Sequence, residues 1–192
     1  MKVLGIVGSA RKGGNTEIMV EEALAAAREA GADTDMVMVA GKDIKGCDGC
    51  STCQKTGVCH IKDDMQPIYK KMEEADAILL GTPVYFYGVT SQTKAIMDRT
   101  ILFRRNNALK GKVAAPIITV RRIGEGATRM HMWNYFMAQS MIPARGAIGY
   151  AKEKGEVRTG HGVFDGSSAI EDARSAGKEV VQIVKSHSRD KA

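Results

Sequence analysis

Four cysteines, Cys47, Cys50, Cys53 and Cys59, are the whole thiol inventory of this 192-residue chain, and they fall in one stretch, CDGCSTCQKTGVCH. The spacing is C-x2-C-x2-C-x5-C. Disulfides are disfavoured where the chain is expected to stay in a reducing compartment. Structural zinc prefers two separate knuckles that meet from different directions, and here the first two knuckles share Cys50. Thiolates three residues apart can instead wrap a cuboidal cluster and reach different irons. With no fifth cysteine present, one complete 4Fe–4S cluster uses the set, and Gly46, Gly49 and Gly57 allow tight turning around it. Zinc and free, redox-switching thiols are the alternatives. Lys42, Lys45, Lys55, His60 and Lys62 surround the motif. They read either as a solvated basic rim or as a docking patch for an acidic electron carrier.

A second stretch, GSARKGGNT at 8–16, is suited to an anion. Small residues let the backbone wrap closely, Ser9, Asn15 and Thr16 offer side-chain donors, and Arg11 offers a planar fork. A helix beginning here adds free N–H groups and a partial positive charge. The stretch is neither a Walker loop nor G-x-G-x-x-G, so it predicts a terminal phosphate rather than a dinucleotide.

A third, TPVYFYG at 82–88, places Pro83, Val84, Tyr85, Phe86, Tyr87 and Gly88 where a flat ring would need apolar surface and backbone hydrogen bonds. Three consecutive aromatics cannot all face one way, so at least one is left for solvent, ligand or a neighbouring subunit. In VRRIGEGA (120–127), Arg121 and Arg122 are candidates for the pyrimidine end of a flavin, where positive charge favours the reduced anion.

The elements that must position these loops alternate. Short apolar runs at 2–9, 34–40, 76–83 and 112–120, with a weak fifth within 143–150, read as strands. Helices are predicted over 15–31, 63–75, 89–103, 128–141 and 167–187, the first opened by Asn15 and Thr16, the last by a Ser168/Glu171 capping box. Alternation of this kind predicts a parallel sheet with right-handed crossovers. Five units fit a flavodoxin-like three-layer α/β sandwich of strand order 2-1-3-4-5, one domain over 1–192 with the cysteine loop at 41–62 after strand 2. Ligands in that architecture bind beyond the carboxyl ends of the strands, where all four loops should gather.

Composition narrows the classes. Charged residues make up 26% and apolar residues 44%, ordinary for a globular chain. No apolar run reaches the roughly 18 residues of a membrane span. The start lacks a signal-type cleavage site, so a cytoplasmic location is expected. The net charge of +6 is spread along the chain and aromatics are only 5%, which argues against nucleic acid. No Ser-His-Asp or paired-carboxylate pattern supports hydrolysis. His131, His161 and His187 lack companions at ligand spacing. Met130, Met132, Trp133, Phe136, Met137 and Met141 form an apolar helix surface, read as core with oligomer contact second.

Together GSARKGGNT, TPVYFYGVTSQTKAIMDR and the compact cysteine pattern resemble the iron–sulfur flavoproteins of archaea and anaerobic bacteria, within the NADPH-dependent FMN reductase superfamily. The resemblance covers nearly the whole chain. It implies FMN, a 4Fe–4S cluster near the ring, electrons from ferredoxin, and a homo-oligomer (dimer or tetramer) whose neighbouring chain helps wall the flavin. The chain departs from the pattern after the fourth strand, where relatives often carry a Gly-Gly-rich segment. The expected function is electron transfer from a ferredoxin-type donor through the cluster to FMN and on to an acceptor. An NAD(P)H-dependent FMN or quinone reductase is the first alternative and a zinc-binding redox sensor the second.

Overall fold

The computed structural model describes residues 1–164 and 168–189; Ser167, in the predicted final helix, lies outside them. The element order is β1 (Lys2–Val7), α1 (Asn15–Glu29), β2 (Asp33–Met38), α2 (Thr52–Thr56), α3 (Met65–Glu74), β3 (Ala77–Pro83), α4 (Ser91–Arg99), β4 (Val113–Val120), α5 (Glu125–Ala138), β5 (Ile142–Pro143), β6 (Ala147–Tyr150) and α6 (Ala169–Arg189). Short 3-10 turns cover Thr100–Arg104 and Glu156–Arg158. Among the described residues the named strands pair in parallel, in the order β2-β1-β3-β4-β5, with β6 also on β4. The flavodoxin-like architecture read from the sequence is the one found.

The strands are apolar throughout because both faces are covered. Side chains alternate between faces. Leu4, Ile6, Ile78, Leu80 and Ile118 point into a core shared with Ile68, Met72, Ile96, Met132 and Phe136 of α3, α4 and α5. Val3, Val7, Leu79, Val113 and Ile117 point into a second core with Met19, Val20, Leu24, Val180 and Val181 of α1 and α6. Met130 and Met137 of the methionine-rich α5 are about half exposed, so only one side of that helix is core.

The predicted fifth strand is two pieces. Ala114 pairs with Pro143 and Ile117 with Ala147, so two residues of β4 face three of the edge. Pro116 lies in that interval and has no N–H to donate to a ladder. Gly146 completes the bulge at φ +75, and a Cβ there would sit 2.1 Å from the Pro116 carbonyl oxygen.

Several helix starts show details that the sequence reading did not give. α1 has Gly14, not Asn15, at its N-cap position. α4 begins at Ser91 because the Thr90 hydroxyl caps it, accepting the Thr93 N–H at 3.1 Å. α5 begins at Glu125 rather than 128, because Gly124 at φ +105 turns the chain directly into the helix. The Ser168/Glu171 box is formed, with the Ser168 N–H donating to Glu171 at 2.8 Å and the Glu171 N–H to Ser168 Oγ at 3.2 Å. Among the described residues no helix is long and apolar enough to cross a membrane.

Two candidate cofactor cavities

Because the sheet is parallel, the loops after β1, β2, β3, β4 and β6 leave it at one end. The first loop is drawn tight against β3. Gly8 donates its N–H to the Gly81 carbonyl at 2.8 Å, and a Cβ on Gly8 would fall 1.9 Å from Thr93 Oγ1. The Thr90 hydroxyl donates to the Gly8 carbonyl at 2.6 Å, and Thr93 Oγ1 lies 3.2 Å from the hydroxyl of Thr82. This buried threonine knot joins the loops after β1 and β3. The sequence offered no periodic signal for it.

Beyond the knot lies a cavity of about 240 Å³. Ser9, Arg11, Asn15 and Thr16 line one side, Pro83, Val84 and Tyr85 another, and Thr119, Val120 and Arg121 a third. Ala151, Lys152 and Lys154, which sequence reasoning missed, close it. The Thr16 and Thr119 hydroxyls meet at 2.7 Å, buried, and tie α1 to the end of β4. Ser9 Oγ accepts the Arg11 N–H at 3.1 Å, shaping the turn, and the Glu17 carboxylate accepts the Gly13 N–H. Asn15 reaches across to the chain after β6. Its amide donates to the Glu153 carbonyl at 2.8 Å and its oxygen accepts the Gly155 N–H at 2.7 Å. Arg11, Arg121, Lys152 and Lys154 therefore converge on one cavity. Among the described residues none of the four is in a salt bridge.

Phe86, Tyr87 and Gly88 do not line this cavity. Tyr85 and Gly88 exchange N–H to carbonyl hydrogen bonds at 3.0 Å, closing a tight turn. Phe86 and Tyr87 occupy its centre at φ +49 and +63, which costs an ordinary side chain roughly 1–2 kcal/mol each. The turn holds Phe86 fully exposed and leaves Tyr85 and Tyr87 about half exposed. Gly124 packs under it, with space for a Cβ already taken by Val84 and Tyr87.

The loop after β2 forms the second cavity, about 90 Å³, and all four cysteines line it. The short helix α2 sets Cys53 inward at 8% exposure, between left-handed turns at Ser51 and Gly57. Cys59 is half-buried, while Cys47 and Cys50 are exposed. Gln54 donates to Cys53 Sγ at 3.6 Å and to the Ile101 carbonyl at 2.7 Å. Asp48 accepts the Cys50 N–H at 3.1 Å and pairs with His60 Nε2 at 2.6 Å. Hydrogen bonds from Cys50 and then His60 hold the Asp48 carboxyl below its ordinary value. The Asp48, Cys50 and His60 ligand atoms lie within 4.8 Å of one another.

Arg99 closes the cavity from within and was missed as a site residue. It is 1% exposed, paired with an Asp63 side chain that is fully shielded, at 2.7 Å. Burial alone would raise the Asp63 carboxyl, but hydrogen bonds from Arg99, Lys45 and Met65 outweigh it and hold it below the usual range. Burial also pushes the Tyr69 hydroxyl, beside Arg99, well above its ordinary value. The two cavities have no lining residue in common, but both border the same core. Cys53 belongs to the apolar core under α3, α4 and α5, and Cys59, Val84 and Val89 pack against that same core.

Residues 1–154 match the family described as NADPH-dependent FMN reductase. An iron–sulfur flavoprotein of Methanocaldococcus jannaschii is 39% identical over 195 residues, covering 96% of this chain and 98% of its own. The chain belongs to the iron–sulfur flavoproteins of that family. A relative from Archaeoglobus fulgidus, also an iron–sulfur flavoprotein, is 35% identical over 82% of this chain and 72% of its own. In fold, the chain is similar to the crystal structure of a flavodoxin, WrbA-like protein from Agrobacterium tumefaciens, with TM-score 0.68, 14% identity, and coverage of 97% and 98%.

The flavoprotein is thus an FMN-dependent oxidoreductase, and its residues fit the cofactors its family implies. A close-wrapped loop with an arginine and a helix start beside it suits a phosphate, and two further walls leave room for a ring. Four thiols converging on one cavity suit an iron–sulfur group.

Proposed function

We propose that the flavoprotein takes electrons from a ferredoxin-type carrier at a 4Fe–4S cluster held by Cys47, Cys50, Cys53 and Cys59, and delivers them to FMN for passage to an acceptor. The observation that carries this reading is the gathering of all four thiols on one cavity in a chain that also builds an arginine-lined cavity after β1 and β3. The cysteine loop and the glycine-rich loop leave the same end of the parallel sheet, and Cys53 and Val84 both touch the core under α3, α4 and α5. FMN, when bound, exchanges one or two electrons and so links one-electron and two-electron partners. Arg11 and the start of α1 anchor the phosphate, Pro83, Val84 and Tyr85 flank the ring, and Arg121 supplies positive charge at its edge.

The cluster is reached from outside at Cys47 and Cys50, among the exposed Lys42, Lys45, Lys55 and Lys62. An acidic carrier suits that rim, since opposite charge steers encounter. The exposed Tyr85-Phe86-Tyr87 turn, with exposed Ile123 nearby in the loop under it, suits cover by a second copy of the chain. A cytoplasmic setting suits reduced thiols.

A second reading is hydride delivery from NAD(P)H. It is favoured by the four cations at the first cavity, more than one flavin phosphate requires. Mixing oxidised protein with reduced ferredoxin and, separately, with NADPH decides between them. Ferredoxin should reduce the flavin rapidly in the wild type and fail in a Cys53→Ser protein that retains FMN. Fast reduction by NADPH alone, unaffected by Cys53→Ser, would refute the cluster route.

A further inference from the structure

A buried guanidinium needs a counter-charge and an acceptor for each N–H. Arg99 has both. Its Nε donates to the Tyr69 hydroxyl at 3.1 Å, Nη1 to Asp63 Oδ2 at 2.7 Å and to the Lys45 carbonyl at 2.9 Å. Nη2 donates to Asp63 Oδ1 at 3.1 Å and, at 3.5 Å, reaches the Ile61 carbonyl. Lys45 precedes Cys47 by two residues and Ile61 follows Cys59 by two, so the fork grips the cysteine loop on both flanks. Asp63 draws the same points together, accepting the N–H groups of Lys45 at 3.0 Å and Met65 at 3.1 Å. Arg99 also lines the cysteine cavity itself.

We propose that Arg99 is the positioning residue of the cluster site: a clasp, anchored on Asp63, that closes the loop at both ends and sets the spacing of the four thiolates before any iron arrives. Arg99 lines the cavity while its guanidinium is committed to the loop's own acceptors. Lysine is no substitute. A point-like ammonium keeps the charge but cannot bridge a bidentate carboxylate and two carbonyls at once. The inference rests on the cluster reading. Thiol reactivity of the apoprotein tests the clasp whatever the cysteines hold, while iron and sulfide content of the wild type tests the cluster reading separately.

The experiment compares wild type with Arg99→Lys and with the double variant Arg99→Gln/Asp63→Asn, which leaves no unpaired buried charge. Alkylation rates of the apoprotein thiols and FMN affinity are measured on each. FMN affinity should stay within about twofold, since Arg99 does not line the phosphate cavity. Thiol alkylation should quicken by about tenfold or more in both variants, with lysine giving no rescue. Wild-type thiol reactivity in a variant that folds would overturn the proposal. So would thiol exposure that rises only in step with lost FMN binding, since Arg99 would then merely support the core. Should Arg99→Lys fail to fold, the double variant carries the same readouts.

Discussion

Asn15 Oδ1 accepts the Gly155 N–H at 2.7 Å across 140 residues of chain. The first residue of the first helix thereby fixes the segment that brings Lys152 and Lys154 to the phosphate loop. Replacing Asn15 by Ala removes that bond and the 2.8 Å bond to Glu153. We expect FMN affinity to fall by roughly tenfold, the equivalent of about one net hydrogen bond. Fluorimetric titration checks it. Asn15→Asp, which keeps the acceptor but adds a negative charge beside the anion site, should lose more.

Arg11 lines the same cavity without a salt-bridge partner among the described residues. If its role is to hold a phosphate, Arg11→Ala should weaken FMN about tenfold or more and leave riboflavin, which lacks the phosphate, nearly unaffected. Equal losses for both ligands would remove Arg11 from the phosphate.

The fully exposed Phe86 makes a different prediction. A side chain with no contacts to lose contributes little to the fold of one chain, so Phe86→Ala should leave the Tm within about 1 °C of wild type. Phe86→Glu should shift the association state toward smaller species in sedimentation velocity, where a second copy covers the turn. An unchanged association state would place the partner surface elsewhere.

The Arg99–Asp63 pair sets a pH dependence. The Asp63 carboxyl is held below its ordinary 3.8 in the folded protein. Its contribution to stability is therefore complete above that pH and is lost as pH falls through the lower, folded value. Asp63→Asn leaves a buried arginine uncompensated and should cost about 3 kcal/mol at pH 7. The gap between the urea midpoints of wild type and Asp63→Asn should shrink below pH 3.8 and be constant above about 5. A gap that widened on acidification would contradict the assignment of the pair.

Much of the architecture was legible because a parallel, doubly covered sheet leaves nearly unbroken apolar runs, as in AILLGTP of β3. The split edge strand was not, because its break answers Pro116 on the neighbouring strand. The start of α5 was hidden by Gly124, which enters the helix from the left-handed region with no side-chain cap to announce it. Local motifs carried the site equally well up to a point. Cysteine spacing and the glycine-rich loop each lie within a short segment, so the grouping of residues within each cavity could be read. Arg99 could not. A single arginine at the end of a helix reads as a surface cation favourable to the dipole, and only the packed chain shows Asp63 and two carbonyls closing on it. Lys152 and Lys154 were equally silent, because the residue that places them is Asn15. Lys185, in the last turns of α6, donates to the Ala30 carbonyl after α1 at 2.9 Å, another contact with no local sequence signal.

The account turns on what the four cysteines hold beside the flavin. Anaerobic quantification of iron, acid-labile sulfide, zinc and FMN on one sample of purified protein tests it most directly. The account predicts about four iron, about four sulfide and one FMN per chain, with negligible zinc. Stoichiometric zinc without sulfide, or FMN without iron in anaerobically prepared protein, would contradict it.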